Sequence, residues 1–417
     1  MIDREFIKGS TIFGIGYALA RVFGLLFFII VARICTPEDY GFVRYCIAVA
    51  SIAGVPIISQ STTLARYLGK YNGRIKEQNI YFSNTLFSVF ITLSSVVIIL
   101  FSILYITDRL YIGIFFVVIG STISEIYYGL LRGFILYMKL ALFLVSTNIV
   151  KIALILIIFY MNLHQPQIIL AIFGLSCVIS MLIIELKHPS PVSFRIKEIS
   201  MEILREIYKF CIPIIVASYA YTLITSFDTI CIEHYLGMYE VGIYSVAKAL
   251  GQIFVFVPLT INTFLMPKVA GFDEHEIIMK YLKLSLSIVI SISSVLLLCI
   301  YMFQREIIEI IFTAKYLDAV TVLCIYSVGM VFYAIYSTIS NVLIGIGMPR
   351  FYMSTSLVCA IINVLGNLYA LPRWGIYGAG IIFMFSYLIA SLLIFILVLK
   401  TWLSEREERE KLSVKRR

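Results

Sequence analysis
Three cations stand inside stretches apolar enough to cross a bilayer: Arg21, Lys151 and Lys248. A charged side chain at the membrane centre costs on the order of 2.5–3.5 kcal/mol on the insertion scale, so retained cations imply partners or water. Positive groups lining a hydrated cavity would suit an anionic passenger such as a phosphate or pyrophosphate. At helical spacing Gly14, Tyr17 and Gly24 share a face with Arg21, and Thr147 and Asn148 precede Lys151. Tyr244, Ser245, Gly251 and Gln252 form a stripe with Lys248. Lys248 has a second reading: it lies about 10 Å from the outer end of its span, within reach of the headgroups by snorkelling.

Two acids are also intramembrane. Glu125 shares a face with Ser121 and Tyr128, and Asp228 with Tyr221 and Thr225. Each acid either pairs with a cation or serves as a proton or sodium site. Asn363 and Asn367 sit one helical turn apart, and Ser337, Ser340 and Asn341 crowd another span. Such groups either hydrogen-bond sugar hydroxyls or glue helices together. No GxxxxGK[ST] run, no Ser/His/Asp constellation and no metal-ligand spacing occurs, so the sequence does not point to an enzyme, a metal or a cofactor. The eight cysteines lie in or beside apolar spans without a CxxC pair and read as small buried apolar residues.

The elements that must carry these residues follow from composition. With 61% hydrophobic and 14% charged residues over 417 positions, the chain belongs to the polytopic membrane class. Spans of about 20 residues are expected at 10–32, 42–64, 80–105, 111–131, 140–161, 167–186, 209–232, 241–267, 284–303, 319–343, 354–371 and 376–399. The predicted fold is therefore all-α, with twelve transmembrane helices. Lysine and arginine favour one set of loops by roughly four to one, which places both termini in the cytoplasm. The net charge of +9 reflects this topology and does not indicate a nucleic-acid partner. The N-terminal stretch carries acids and no small-residue cleavage site, so it is expected to remain as the first helix.

The halves resemble each other. Asp39-Tyr40-Gly41-Phe42-Val43 matches Glu240-Val241-Gly242-Ile243-Tyr244 at an offset of 201 residues, overlaying the first two helices on the seventh and eighth. Six helices per half give two pseudo-symmetric lobes, 1–186 and 209–399, with a binding site expected between them near the midplane. Residues 187–208 form the linker, and over 192–209 Ile196, Ile199, Ile203 and Ile207 fall on one stripe, predicting an amphipathic helix on the cytoplasmic leaflet. A polar tail, 400–417, pairs Glu405 with Arg409 and Glu407 with Lys411, and its basic end, Lys415 to Arg417, faces anionic lipid. Pro213, Pro258, and Gly54 with Pro56 are expected to bend their helices.

Several segments in order resemble a known family: KGS at 8–10, Arg21 in mid-helix, ARICTPEDYG at 32–41, LARYLGKYN at 64–72, FDTICIEHYLGMYEVGIYSVAKAL at 227–250 and NVLIGIGMPR at 341–350. With twelve helices they resemble the polysaccharide-repeat-unit (O-antigen) flippases, the Wzx-type members of the MATE-like exporter superfamily, over essentially the whole chain. The resemblance implies an electropositive central cavity that moves an undecaprenyl-pyrophosphate-linked oligosaccharide across the bacterial inner membrane. Arg21, Lys151, Lys248, Gln252, Asn363 and Asn367 are then the cavity candidates. Glu125 and Asp228 are nominated for coupling to a proton or sodium gradient. Glycan polymerase machinery is an implied partner. A multidrug or other lipid exporter of the same superfamily and a non-transporting scaffold for glycan assembly are the rival readings. An acid, where this chain has Arg21, would favour a cation exporter.

Overall fold
The computed structural model describes residues 4–107, 111–187, 189–269 and 275–415, without the side chains of 4–11, 263–264, 266–269, 275–276 and 401–415. The expectations placed on Lys415, Arg416, Arg417 and the tail pairs of Glu405 and Glu407 lie outside the described residues and side chains. The described chain contains helices and no strand. It divides into two compact units, residues 1–222 and 223–417.

The first unit contains α1 (Arg4–Ile34), α2 (Pro37–Ala53), α3 (Val55–Lys70), α4 (Ile75–Ile106), α5 (Ile112–Gly133), α6 (Tyr137–Tyr160) and α7 (Pro166–Lys187). The unit boundary falls within α8 (Met201–Leu236), and the second unit continues through α9 (Met238–Gly251), α10 (Phe256–Val269), α11 (His275–Ile311), α12 (Ala319–Gly345) and α13 (Pro349–Lys415). Among the described residues, ten helical segments are long and apolar enough to cross a membrane, with Met238–Asn262, from α9 into α10, counted as one, or eleven when α2 and α3 also count as one span bent by 54°. The apolar part of α13 covers 52 residues, Pro349–Lys400. A straight helix of that length would be about 78 Å long, more than twice the hydrocarbon thickness. Gly375, at φ 58°, ends the first part of α13, and the chain folds back on itself. A methyl group on Gly366 would meet the Ile382 side chain at 2.7 Å, and one on Gly378 the Ala370 carbonyl at 2.8 Å, contacts that only a hairpin brings about.

The internal repeat extends from a few residues to the first four helices of each half. Shifting by 201 places α1, α2, α3 and α4 on α8, α9, α10 and α11 within a few residues. The break at Gly54 falls on the 3-10 turn Gln252–Val255. Both breaks precede a proline that cannot donate to the carbonyl four residues back, Ile52 for Pro56 and Phe254 for Pro258. The bend assigned to Pro258 is thus expressed one turn earlier, whereas Pro213 sits inside α8. The matched acids are helix-start signals: Asp39 donates its backbone N–H to Thr36 Oγ1 at 3.1 Å in the first turn of α2, and Glu240 occupies the first turn of α9.

The linker differs from its prediction. Helix begins only at Met201, 189–195 has no helix, and Ile196–Glu198 is a single 3-10 turn. Polar side chains of α4 and α7 satisfy the backbone of this stretch. Asn79 Oδ1, Ser83 Oγ and Asn84 Oδ1 accept from the N–H groups of Ser193, Arg195 and Ser200 at 2.9, 2.9 and 2.8 Å. Asn84 Nδ2 donates to the Glu198 carbonyl at 2.8 Å, and Glu185 accepts the Ser190 N–H at 2.7 Å. With its N–H groups taken by side chains, this stretch has no reason to coil into a helix. Ile203 and Ile207 pack on Tyr67, Tyr71 and Tyr81, so that part of the isoleucine stripe faces protein and not lipid.

Glycines allow the tightest helix approach in the first unit. A methyl on Gly174 of α7 would overlap the Phe116 carbonyl oxygen of α5, and one on Gly120 would overlap Gly174 Cα. Seven of the eight cysteines are buried, and Cys299 is exposed.

Candidate functional site
Arg21 is exposed on the middle of α1. Its Nη2 donates to Tyr17 Oη at 2.6 Å and its Nε to the same oxygen at 3.1 Å, one turn earlier. The phenol therefore fixes the guanidinium in place. Gly24, one turn later on the same face, leaves room for Asn148 Oδ1 of α6 at 3.4 Å from where a methyl group would stand. Tyr221 of α8 lies within electrostatic range of both Arg21 and Tyr17. Tyr128 of α5 lies within such range of Tyr17, Glu125 and Arg132. The first unit thus gathers a cation, a carboxyl, an amide and three phenols from α1, α5, α6 and α8.

Glu125 is half-buried on this face and has no ion-pair partner among the described residues. Its helix is held close to α3, where Ser61 Oγ donates to the Glu125 carbonyl at 2.6 Å and Gly129 packs on Ser61. Tyr221, expected beside Asp228, belongs instead with Arg21: the two positions share a helical face but lie two turns apart, and each meets a different environment.

The two lysines behave differently from Arg21. Lys151 is 8% exposed, with its ammonium 3.8 Å from the centre of the Phe173 ring. Phe27 and Phe28 stand beside that ring at 6.3 and 6.4 Å. An aromatic face offers a cation about 2 kcal/mol or more when both are desolvated, which accounts for a lysine at this depth.

Lys248, 6% exposed, is not an open cavity cation. Its Nζ lies 2.8 and 2.9 Å from Asp228 Oδ1 and Oδ2, and donates to the Thr225 carbonyl at 2.6 Å. Asp228, 1% exposed, also accepts from the Thr229 N–H at 2.7 Å and from Tyr244 Oη at 2.8 Å. This saturated pair uses both groups internally and removes the snorkelling reading. Asp228 takes the ion-pair alternative.

Asn363 and Asn367 are fully buried, and Asn367 Nδ2 donates to the Asn363 carbonyl at 2.8 Å and to Asn363 Oδ1 at 3.1 Å. They occupy the packed interior rather than a wall open to sugars. Ser340 and Asn341 bond back to their own helix at Tyr336 and Ser337. Gln252 is exposed at the start of the 3-10 turn. Of the charged candidates, Arg21 is the one that presents its charge at a surface. The sequence allowed Asp228 a cation partner without naming Lys248: they lie 20 residues apart across the α8–α9 turn, and helical spacing alone does not pair residues on different helices.

The molecule is a multi-pass helical membrane protein, and Arg21 is exposed on the middle of the first helix of its first unit. The polysaccharide biosynthesis protein family model matches residues 6–272, well over half of the chain, and the chain belongs to that family. The MatE model matches residues 213–369. An uncharacterised membrane protein of Methanocaldococcus jannaschii is 27% identical over 284 residues, 64% of this chain and 55% of that protein, so the chain spans about half the length of this relative. Among solved structures, the lipid II flippase MurJ in an inward closed conformation aligns with a TM-score of 0.76 at 14% identity, covering 93% of this chain and 87% of that one. An inward-facing multidrug resistance MATE transporter of the MOP superfamily aligns at 0.72 and 15% identity, covering 91% and 93%. A MOP superfamily transporter from Pyrococcus furiosus, described by the reverse polarity of its binding pocket, aligns at 0.59 and 16%, covering 94% of each. The fold is shared with MurJ and the MATE transporters, as the sequence resemblance implied.

Proposed function
We propose that this protein is a flippase that carries an undecaprenyl-pyrophosphate-linked oligosaccharide repeat unit across the bacterial inner membrane, supplying O-antigen or a related surface polysaccharide. The observation that carries the reading is Arg21: a guanidinium exposed at mid-helix and oriented by Tyr17. Membership of the polysaccharide biosynthesis protein family and the shared fold with a lipid II flippase support it. Guanidinium donors match phosphate oxygens in bidentate geometry, and their strength rises where water is excluded. The passenger's pyrophosphate meets Arg21, its sugars meet the phenols and Asn148, and its polyprenyl chain stays in lipid. The protein works as a carrier by alternating access rather than as an enzyme, and its product passes to glycan polymerase machinery. Glu125, which has no ion-pair partner among the described residues, is the candidate for proton or sodium coupling.

The same proposal covers topology. Dividing α13 at Gly375, joining α2 to α3 and counting Met238–Asn262 as one span gives twelve crossings, and the lysine and arginine bias of the loops then puts both termini in the cytoplasm, with six-helix lobes of 1–186 and 209–399, the linker 187–208 and the tail 400–417. A multidrug or other lipid exporter is the second reading, favoured by the MatE match over 213–369.

Deleting the gene in its host and following surface polysaccharide together with the sidedness of lipid-linked repeat units tests the reading. Loss of surface glycan with intermediates held on the cytoplasmic face, restored by the wild type and not by Arg21→Ala, is the expected result. Normal glycan and normal intermediates, in a host without a second flippase, would transfer the protein to the exporter reading.

A further inference from the structure
The ends of α3, α4 and α8 in the first unit build an aromatic platform that the proposed route does not use. Tyr67 stacks on Tyr81 with centroids 4.4 Å apart and planes 7° from parallel, and Tyr71 stacks on Tyr81 at 5.0 Å and 18°. Tyr81 Oη donates to Glu206 Oε2 at 2.8 Å, and Ile203 and Ile207 close the base of the cluster. Three helices are thereby tied at one rigid point.

Two exposed cations rest on this platform. The Arg66 guanidinium carbon lies 3.8 Å from the centre of the Phe210 ring and 5.8 Å from that of Tyr67. Lys70, one turn on, holds its ammonium 5.1 Å from the Tyr71 ring centre and 5.7 Å from that of Tyr67. Neither has a carboxylate partner among the described residues, and the acid of the cluster, Glu206, is engaged by the Tyr81 phenol. A guanidinium lying on a ring keeps its N–H edge free for a planar or tetrahedral anion. The helix dipole accounts for a cation in the last turn, as at Lys70, but not for Arg66 a turn earlier, stacked against another helix. Both cations sit where α3 leaves its apolar stretch, the depth at which lipid headgroups lie.

From this geometry we infer that Arg66 and Lys70 form a surface site for the anionic phosphate of a lipid, with Phe210 as the plate that holds the guanidinium. The inference is independent of the flippase reading, because any protein with this platform would bind the same group.

The test uses the full chain in detergent, with lipid binding counted by native mass spectrometry against dioleoyl-phosphatidylglycerol, farnesyl pyrophosphate and the zwitterionic dioleoyl-phosphatidylcholine. Arg66→Gln/Lys70→Gln is compared with Lys280→Gln/Lys283→Gln, which removes the same charge from exposed positions on α11. Anionic binding is expected to weaken about tenfold in the first variant and little in the second. Phe210→Leu, which keeps both charges, is expected to weaken it as well. A loss confined to phosphatidylglycerol assigns the site to ordinary phospholipid, and one confined to farnesyl pyrophosphate assigns it to a prenyl carrier. Equal losses in the two charge-removed variants, or unchanged affinity in Arg66→Gln/Lys70→Gln, would overturn the site.

Discussion

The two units begin with the same helix plan and treat their charges in opposite ways. In the second, Lys248 and Asp228 form a buried ion pair and Asn367 donates to Asn363. In the first, Arg21 stays exposed, Glu125 keeps no ion-pair partner among the described residues, and Lys151 rests on an aromatic ring. The difference shows how a duplicated scaffold can specialise. One unit holds an ion pair buried between α8 and α9, while the other carries Arg21 exposed on the middle of α1. Repeat-level similarity therefore says little about which half does the chemistry.

The comparison breaks most visibly at Asp228. Asp228→Ala leaves the Lys248 ammonium buried without its carboxylate and is expected to cost about 3–5 kcal/mol. The readout is a lower midpoint in a thermal unfolding series of the detergent-solubilised protein and reduced membrane abundance. Asp228→Leu combined with Lys248→Met should recover most of that loss, and a double variant no better than the single one would show that the pair is more than structural.

Arg21→Ala comes next in size. Flipping of the lipid-linked passenger should fall about 10- to 100-fold, the worth of one or two charge-assisted hydrogen bonds, with membrane abundance unchanged. Arg21→Lys separates geometry from charge: a similar loss means that the guanidinium fork is required. A fall in abundance parallel to the fall in transport would instead make Arg21 a structural residue, like Lys248.

A smaller effect is expected at the strap between α7 and α8. Asn84→Ala removes the acceptor of the Ser200 N–H and the donor to the Glu198 carbonyl, a loss of about 1–2 kcal/mol. Faster amide exchange at residues 193–200 relative to α4 would report it. Unchanged exchange would mean that the other anchors hold the strap alone.

Lys151→Met should be close to neutral for stability, within about 1 kcal/mol, since an apolar side chain of similar length suits the Phe173 surface and removes a buried charge. This sharpens the contrast with Lys248, whose truncation strands a carboxylate. Should Lys151→Met abolish transport at normal abundance, Lys151 would join Arg21 as a working cation.

Much of the scaffold was legible in the residues. Hydropathy located the long helices, and the offset between Asp39 and Glu240 registered the halves, because both acids mark the first turn of a helix that soon breaks before a proline. The stripe of Tyr17, Arg21 and Gly24 was legible for the same reason, since helical periodicity places residues on one face without knowledge of neighbours. The linker was not. Its isoleucine spacing fitted a helix, but Asn79, Ser83 and Asn84, more than a hundred residues away, take its backbone N–H groups and keep it uncoiled.

By itself the sequence determined that this chain is a bundle of apolar helices built from two related halves, with a few charges too costly to leave in lipid. Local rules suffice for that, because helix formation in a membrane satisfies the backbone within each segment. Only the tertiary structure decided what became of each charge. Arg21, Lys151 and Lys248 look alike as single cations in apolar runs, and their fates depend on what the next helix brings: a neighbouring phenol for Arg21, the face of Phe173 for Lys151, and both oxygens of Asp228 for Lys248. Pairing between helices is set by packing, which no periodicity along one strand of sequence encodes.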